Sequence, residues 1–317
     1  MEDDVVFLVN PASANGSTGR RWPELAHRAA LAGLRGRALL SERPGDVVTK
    51  AEQAVAAGAR LIVAVGGDGT IHEATNGILN TGAGGEIEFA VIPRGTGGDF
   101  VRSLGIPKDA DGSIDVALTG DARRIDVGRA SFRGADGSHR EAYFANFGGA
   151  GISGAIASRA NASSKALGGR VSFFWATLAV FARWKNTEVN VAVDAETRSG
   201  RMYEVLTMNG EYTAGGMWVT PGAAPDDGLL DVLLIGDVTK AEFATTFPKV
   251  YRGTHLGHPK IERLRGRRVS VETPFPVPIA LDGEQPGTTP VTFHVVPQAL
   301  RVRMPASRAG ADDRRRS

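Results

Sequence analysis

The chain has 317 residues, 37 basic against 35 acidic side chains for a formal net charge of +2, and no cysteine. That length suits two domains, the near-balance of charge argues against a nucleic-acid partner, and the lack of cysteine excludes disulfides, thiolate metal sites and cysteine nucleophiles. The acidic start Met1–Val5 does not read as a signal peptide, no apolar run reaches the roughly 18 residues that cross a bilayer, and 41 glycines point to loops that meet a ligand through the backbone.

In chain order, Val5–Val9 reads as a strand and Asn10–Gly16 as the turn after it. A helix is expected from Trp22 to about Leu34 with Pro23 in its first turn, then a short strand at Arg37–Leu40. Asp46 caps a helix that runs to Ala57 and stops at Gly58. Leu61–Val65 is a continuous apolar run, the mark of a buried parallel strand. It empties into Gly66-Gly67-Asp68-Gly69-Thr70, followed by a helix over Ile71–Leu79. Glu88–Ile92 is a further strand, closing on the glycine-rich loop Pro93–Phe100. The alternation predicts a doubly wound, three-layer α/β unit with both glycine loops at strand carboxyl ends, where such folds bind ligands.

After Asp121 short strands follow one another, at Arg124–Phe132, Glu141–Phe147, Val189–Ala195, Met202–Met208, Leu229–Ile235, Arg268–Glu272, Val277–Leu281 and Val291–Val295. Turns are expected at Gly134–Gly137 and Glu196–Gly200, and helices at about Leu167–Trp184 and Lys240–Tyr251. This is the pattern of an antiparallel β-sandwich. The tail from Ala306 to Ser317 carries Arg314-Arg315-Arg316 and reads as disordered.

Gly66–Thr70 has the makings of a phosphate loop: glycines admit close backbone approach, and a helix N-terminus favours an anion. Asp68 within it would repel phosphate unless a cation lies between them, which points to Mg²⁺ and to phosphoryl transfer. Pro93–Phe100 sets Thr96 and Asp99 on a second such loop. Pro225–Asp231 gathers Asp226, Asp227 and Asp231 around a glycine and reads equally as a hard-cation site or as a hairpin of solvated acids. Glu284, after the turn Asp282-Gly283, is a candidate to take a hydroxyl proton, beside the simpler reading of a plain hairpin. Asp126 lies where the pattern switches, as a site residue or as a surface acid. The six histidines read as structural. Ser172–Phe181, apolar on most faces and flanked by Arg170, Arg183 and Lys185, reads as core or as a lipid-facing helix.

The order of these motifs resembles the diacylglycerol kinase catalytic family, in its bacterial soluble lipid kinase branch. Gly66-Gly67-Asp68-Gly69-Thr70 is similar to the family's nucleotide loop, and Pro93–Phe100 to its second loop, written P-x-G-T-x-N-D-F; Pro225–Asp231 and Leu281–Glu284 are similar to two later signatures. The resemblance implies a nucleotide-binding α/β domain over 1–123 and 298–310, a β-rich lipid-substrate domain over 124–297, as in NAD kinases and diacylglycerol kinases, and a disordered tail over 311–317. ATP would lie against Asn10, Pro11, Ala12, Ser13 and Ala14, Ser41, Gly66, Gly67, Asp68, Gly69, Thr70, Ile71 and His72, and Thr96. Asp68 and Asp99 would serve the reactive Mg²⁺–ATP and Glu284 would be the catalytic base. A second, structural Mg²⁺ would use Asp227 with main-chain oxygens near Ala224 and Leu229, and Asp126 would join its waters to the active site.

The chain departs from the family at Gly98 and His72, where asparagines are usual. The implied activity is ATP-dependent phosphorylation of a lipid hydroxyl, most simply diacylglycerol to phosphatidic acid. The alternatives are an NAD kinase or a non-catalytic lipid- or nucleotide-binding relative. A cytoplasmic enzyme making peripheral contact at the inner membrane face follows, and a homodimer is compatible.

Overall fold

A computed structural model describes residues 4–95, 97–163 and 179–306. Strands β1 (Val5–Val9), β2 (Arg37–Leu40), β3 (Leu61–Gly66) and β4 (Glu88–Pro93) form a parallel sheet in the order β2-β1-β3-β4. Helices α1 (Ser17–Ala32), α2 (Asp46–Ala56), α3 (Asp68–Asn80), α4 (Asp99–Ser103) and α5 (Ala110–Thr119) complete this half. Side chains alternate across a strand, so each strand feeds two cores. Leu8, Ile62, Ala64, Phe89 and Val91 pack with Val47 and Ala51 of α2 and Ile71, Ala74 and Ile78 of α3. Phe7, Val9, Val63, Val65 and Ile92 pack with Leu25 and Ala29 of α1 and Ile114 of α5. Burial on both faces is why Leu61–Val65 shows no polar alternation.

The helix starts differ from expectation. α1 begins at Ser17, so Pro23 falls in its second turn. Ser17, Thr18 and Gly19 are weak helix formers, but Thr18 is buried and its hydroxyl accepts from Ser13 Oγ at 2.6 Å, a tertiary tie that overrides propensity. The residue capping α2 is Gly45, in the left-handed region at φ 85°, while the Asp46 carboxylate accepts the Glu42 N–H.

The second half opens on β5 (Asp121–Gly134), β6 (His139–Phe144), β7 (Phe147–Gly151) and α6 (Ile152–Ser163). It continues with β8 (Thr187–Val193), β9 (Glu196–Met202), β10 (Glu204–Met208), β11 (Tyr212–Thr213), β12 (Met217–Trp218), β13 (Leu230–Ile235) and α7 (Lys240–Val250). It closes with β14 (Ile261–Gly266), β15 (Arg268–Glu272), β16 (Ile279–Leu281) and β17 (Gly287–Met304). A sheet ordered β14-β13-β10-β7-β16 faces β17-β15-β8-β9, with β5 and β6 continuing from β17. Between them lie Phe144 and Phe293, in edge contact at 5.7 Å, with Val205, Leu230, Ile279 and Leu281. The expected α/β-plus-sandwich fold is therefore the observed one. The segment read as one strand at Glu141–Phe147 splits around Ala145-Asn146. The turn read at Glu196–Gly200 is strand, because the reversal is made earlier by Asp194 at φ 50°. The segment read as Val291–Val295 is the middle of an 18-residue strand.

That strand, β17, joins both halves. Val291 and Phe293 belong to the sandwich core, whereas Leu300, Val302 and Met304 belong to the first core. Arg301 and Val302 pair in parallel with Glu88 and Phe89 of β4. Between the two stretches its pairing with β5 shifts register from Val296 to Leu300, with Gln298 at φ 51°. The expected helix across Val171–Phe181, with Arg170, Phe174 and Trp175, lies outside the described residues but for its end. Residues 179–183 are helical, and Phe181 packs on Phe243 of α7 with ring centroids 4.8 Å apart. The tail from 307 and Thr96 also lie outside the described residues.

Candidate active site

The candidate site is built at the carboxyl ends of β1, β3 and β4. Asn10 holds the first loop in shape: its side-chain Nδ2 donates to Thr70 Oγ1 at 3.1 Å and its side-chain Oδ1 accepts the Ala12 N–H. Ser13 Oγ donates to the Asn10 carbonyl, and Ala14 takes a left-handed turn at φ 51°. Pro11 packs on Gly19, where a β-carbon would come within 2.9 Å of Pro11 Cβ. Ser41 joins by donating its N–H to the Val9 carbonyl. The two glycine loops press backbone on backbone: a β-carbon on Gly95 would lie 2.7 Å from Gly67 Cα, and one on Gly66 would lie 2.2 Å from Thr70 Oγ1.

Asp68 opens α3 and binds the second loop. Its carboxylate accepts the N–H groups of Gly98 at 2.8 Å and Asp99 at 3.1 Å. Gly98 stands at φ 66°, ψ 44°, a left-handed conformation that glycine and asparagine both adopt readily, which is why glycine can replace the family's asparagine here. Asp99, 6% exposed, is bound by Arg102 at 3.2 Å and by the Gly215 N–H at 2.7 Å. Gly215 lies between β11 and β12, so Asp99 ties the second loop to the sandwich half. Arg102 in turn lies over the Tyr212 ring.

Glu284 arrives from the other half. Asp282 and Gly283 both have positive φ, 49° and 95°, as a two-residue hairpin turn requires. Leu281 and Glu284 close it with reciprocal backbone hydrogen bonds of 2.9 Å. The turn delivers Glu284 Oε1 to within 3.6 Å of where a β-carbon on Gly69 would be. Asp282 accepts the consecutive N–H groups of Ala145, Asn146 and Phe147 at 2.8–2.9 Å and faces His72 Nδ1 at 3.1 Å.

Asp68, Asp99, Asp282 and Glu284 therefore meet in one cleft. Burial raises the Asp68 pKa, the Gly98 N–H opposes it, and the charges of Asp99 and Asp282 add to the rise. Such a crowd of carboxylates is relieved by a cation. Among the described residues no group of three or more acid or histidine side chains is arranged to hold a metal ion by itself. Mg²⁺ is commonly held by one or two carboxylates together with substrate phosphates. The loops, the first turn of α3 and this donor set fit Mg²⁺–ATP.

The acidic turn is arranged otherwise. Asp227 is paired with Arg265, and its other oxygen accepts the Leu229 N–H at 3.1 Å. Asp231 takes Arg263 at 2.7 Å and Arg265 at 3.4 Å. Asp126, fully buried, spends its oxygens on the N–H groups of Gly228 at 2.6 Å and Gln298 at 2.8 Å. The positive charge beside Asp227, and hence beside Ala224 and Leu229, is thus supplied by arginine, and this donor set does not fit a resident divalent ion. The link from Asp126 to the site exists without one. Asn209 Nδ2 donates to the carbonyls of Asp126 and Ala145, and the Ala145 N–H reaches Asp282.

Sequence reading missed Asp282, Asn76, Arg102 and Asn209. Asp282, Asn76 and Asn209 have partners far away in sequence, as with Asn76 on Tyr143, and no local spacing announces them; Arg102 stands three residues after Asp99, a spacing that could have suggested the pair.

Two family models match the chain: "Diacylglycerol kinase catalytic domain" over residues 4–130 and "YegS C-terminal NAD kinase beta sandwich-like domain" over residues 148–304. A protein named diacylglycerol kinase from Staphylococcus carnosus is 26% identical over 299 residues, covering 94% of each chain. One from Staphylococcus aureus is 26% identical over 287 residues, covering 90% of this chain and 88% of the relative. Among solved structures, a diacylglycerol kinase from Bacillus anthracis superposes with a TM-score of 0.70 at 21% identity over 95% of this chain and 97% of the other. Yeast NADH kinase complexed with NADH does so with a TM-score of 0.55 at 12% identity, over 97% and 84%. At those identities the structural likenesses establish the fold alone.

Proposed function

Because the chain belongs to the diacylglycerol kinase family, we propose that it is an ATP-dependent lipid kinase that phosphorylates the free hydroxyl of diacylglycerol to give phosphatidic acid. The observation that carries this is the placement of Glu284 beside Gly69, at the mouth of the phosphate loop. Residues 1–123 with 298–310 would bind ATP, and 124–297 would present the lipid.

The first-turn N–H groups of α3 lack intrahelical partners and would face the phosphates. Asp68 holds the two glycine loops at fixed separation through Gly98 and Asp99. Mg²⁺ bound with the nucleotide would neutralise charge on the transferring phosphate. Glu284 takes the proton of the lipid hydroxyl as that oxygen bonds the γ-phosphorus and the bond to ADP breaks; the products are ADP, a phosphate monoester and a proton passed from Glu284 to water. No helix among the described residues is long and apolar enough to cross a membrane. In this reading the lipid is met by peripheral contact, at the inner face from the cytoplasm.

The test is transfer from labelled ATP to diacylglycerol in mixed micelles, with NAD as the competing acceptor. Glu284→Gln should lose at least about a hundredfold in kcat, general-base removal costing roughly 10²–10⁴, with ATP binding retained. Label in NAD alone would make it a nicotinamide-nucleotide kinase, and no transfer to diacylglycerol, to a total lipid extract or to NAD would make it a binding protein. A Glu284→Gln variant keeping a third of wild-type kcat removes Glu284 from the chemistry.

A further inference from the structure

Helix α7 and the two residues after it present an outer face of one chemical kind. Between positions 241 and 252 the exposed side chains are alanine, threonine, phenylalanine, proline and tyrosine, and the exposed charges are Lys249 and Arg252 alone. A solvated helix face is ordinarily polar and charged. The one acid of α7, Glu242, is spent at the helix start, where it accepts the Thr239 N–H at 2.7 Å and Lys260 Nζ at 2.8 Å. Lys249 and Arg252 form no ion pair among the described residues.

Phe243, Phe247 and Tyr251 recur at every fourth residue and so share one side of the helix. Their rings follow one another at 5.2 Å and 5.8 Å. The series runs from inside to outside: Phe243 packs on Phe181 and Tyr203 at 4.8 Å and 5.0 Å, whereas Phe247 is 37% and Tyr251 50% exposed. Its outer end adjoins the candidate site. Gly253 follows so close to β12 that a β-carbon there would lie 2.9 Å from the Trp218 ring. Trp218 stacks on Tyr212 at 6.0 Å, and over Tyr212 lies Arg102, the partner of Asp99. The aromatic edge is therefore continuous with the second glycine loop.

We propose that the outer face of α7 is the surface by which this protein docks on an anionic lipid bilayer, Phe247 and Tyr251 entering the headgroup region and Lys249 and Arg252 meeting the lipid phosphates. The proposal rests on the lipid kinase reading and says which face of the molecule meets the membrane. The composition is that of an interfacial helix: aromatic rings that leave water at the acyl boundary, beside cations on flexible stems that reach the headgroups. Tyrosine suits this depth, because its ring is apolar and its hydroxyl can stay hydrated. A second copy of the chain fits the face less well. A two-fold interface sets a patch against itself, and this patch has two exposed cations and no exposed acid to meet them.

Co-sedimentation of the full chain with vesicles, without nucleotide, tests the surface apart from the chemistry. The wild type should bind phosphatidylcholine vesicles containing phosphatidylglycerol more tightly than pure phosphatidylcholine, and high salt should remove the difference. Lys249→Gln with Arg252→Gln should weaken binding to the anionic vesicles on the order of 25-fold, about fivefold for each cation, and leave the melting temperature unchanged. Phe247→Ala with Tyr251→Ala should weaken binding to both kinds of vesicle by about tenfold or more. In turnover both variants should raise the KM for diacylglycerol in vesicles and spare the KM for ATP. Wild-type binding to anionic vesicles by the charge variant overturns the proposal. So does a wild-type dimer in sedimentation equilibrium that Phe247→Ala with Tyr251→Ala dissociates without loss of vesicle binding. If the wild type binds vesicles as expected and transfers phosphate to no lipid, it is the kinase reading that fails and the docking face that stands.

Discussion

Single residues were legible where the backbone demanded them. Asp282-Gly283 reads as a hairpin turn because both positions need positive φ, and so they have it. What the turn's carboxylate binds was not legible, since the three amides it fixes lie over a hundred positions earlier in the chain. Glu204 was equally silent. It sits 3% exposed at the start of β10, accepting from Ser153 N at 2.7 Å and Ser153 Oγ at 2.8 Å at the start of α6. Burial pushes its pKa up to about 7, against the opposing pull of the Ser153 groups. The folded protein therefore keeps a proton that the unfolded chain releases near its ordinary value, so stability is full below that value and falls as pH rises towards about 7. Glu204→Gln removes the titration. Melting temperatures from pH 5 to 8 should decline in the wild type relative to the variant, and parallel curves would show that the buried carboxylate carries no such penalty.

At the scale of elements, the strand–loop–helix units of the first half were read almost as they stand, because burial on both faces leaves an unmistakable apolar run. The strands β11, β12 and β14 were not: β11 and β12 are two residues each and pair only with one another, too short to leave an alternation, and β14 is fixed by its pairing with β13. The acidic turn at Pro225–Asp231 shows how a motif can be read correctly as a cluster and still leave its counter-charge open. Arg263 and Arg265 come from the neighbouring strand β14, and they face Asp231 and Asp227. Without nucleotide, Mg²⁺ should therefore raise the melting temperature by less than about 1 °C, because a ligand stabilises only where it binds the native state. Arg265→Met should melt lower and recover part of the loss on addition of Mg²⁺. A rise of several degrees in the wild type, abolished in Asp227→Asn, would restore a metal to this turn.

For the whole molecule, the two-part architecture could be inferred from the change of pattern after Asp121, whereas the expected return of residues 298–310 to the first half came from the family resemblance and not from the local pattern. Val291–Val295 carried the alternation of an ordinary strand, and nothing local revealed that the same strand runs on to complete the parallel sheet of the first half. Leu300, Val302 and Met304 fill the first core, and Arg301 and Arg303 both bridge to Glu88 of β4. The order of synthesis then matters. β4 leaves the ribosome with its outer edge unpaired, and roughly 200 further residues must be made before Arg301 and Val302 can cover it, on the order of 10–40 s at 5–20 residues per second. An open edge of this kind invites pairing with other chains, so the newborn protein should lean on chaperones over that interval. Nascent chains arrested before residue 290 should be cut by protease within the first half, whereas those arrested after both β17 and its partners have emerged should resist. Equal resistance at both lengths would mean that the first half finishes folding without its last strand.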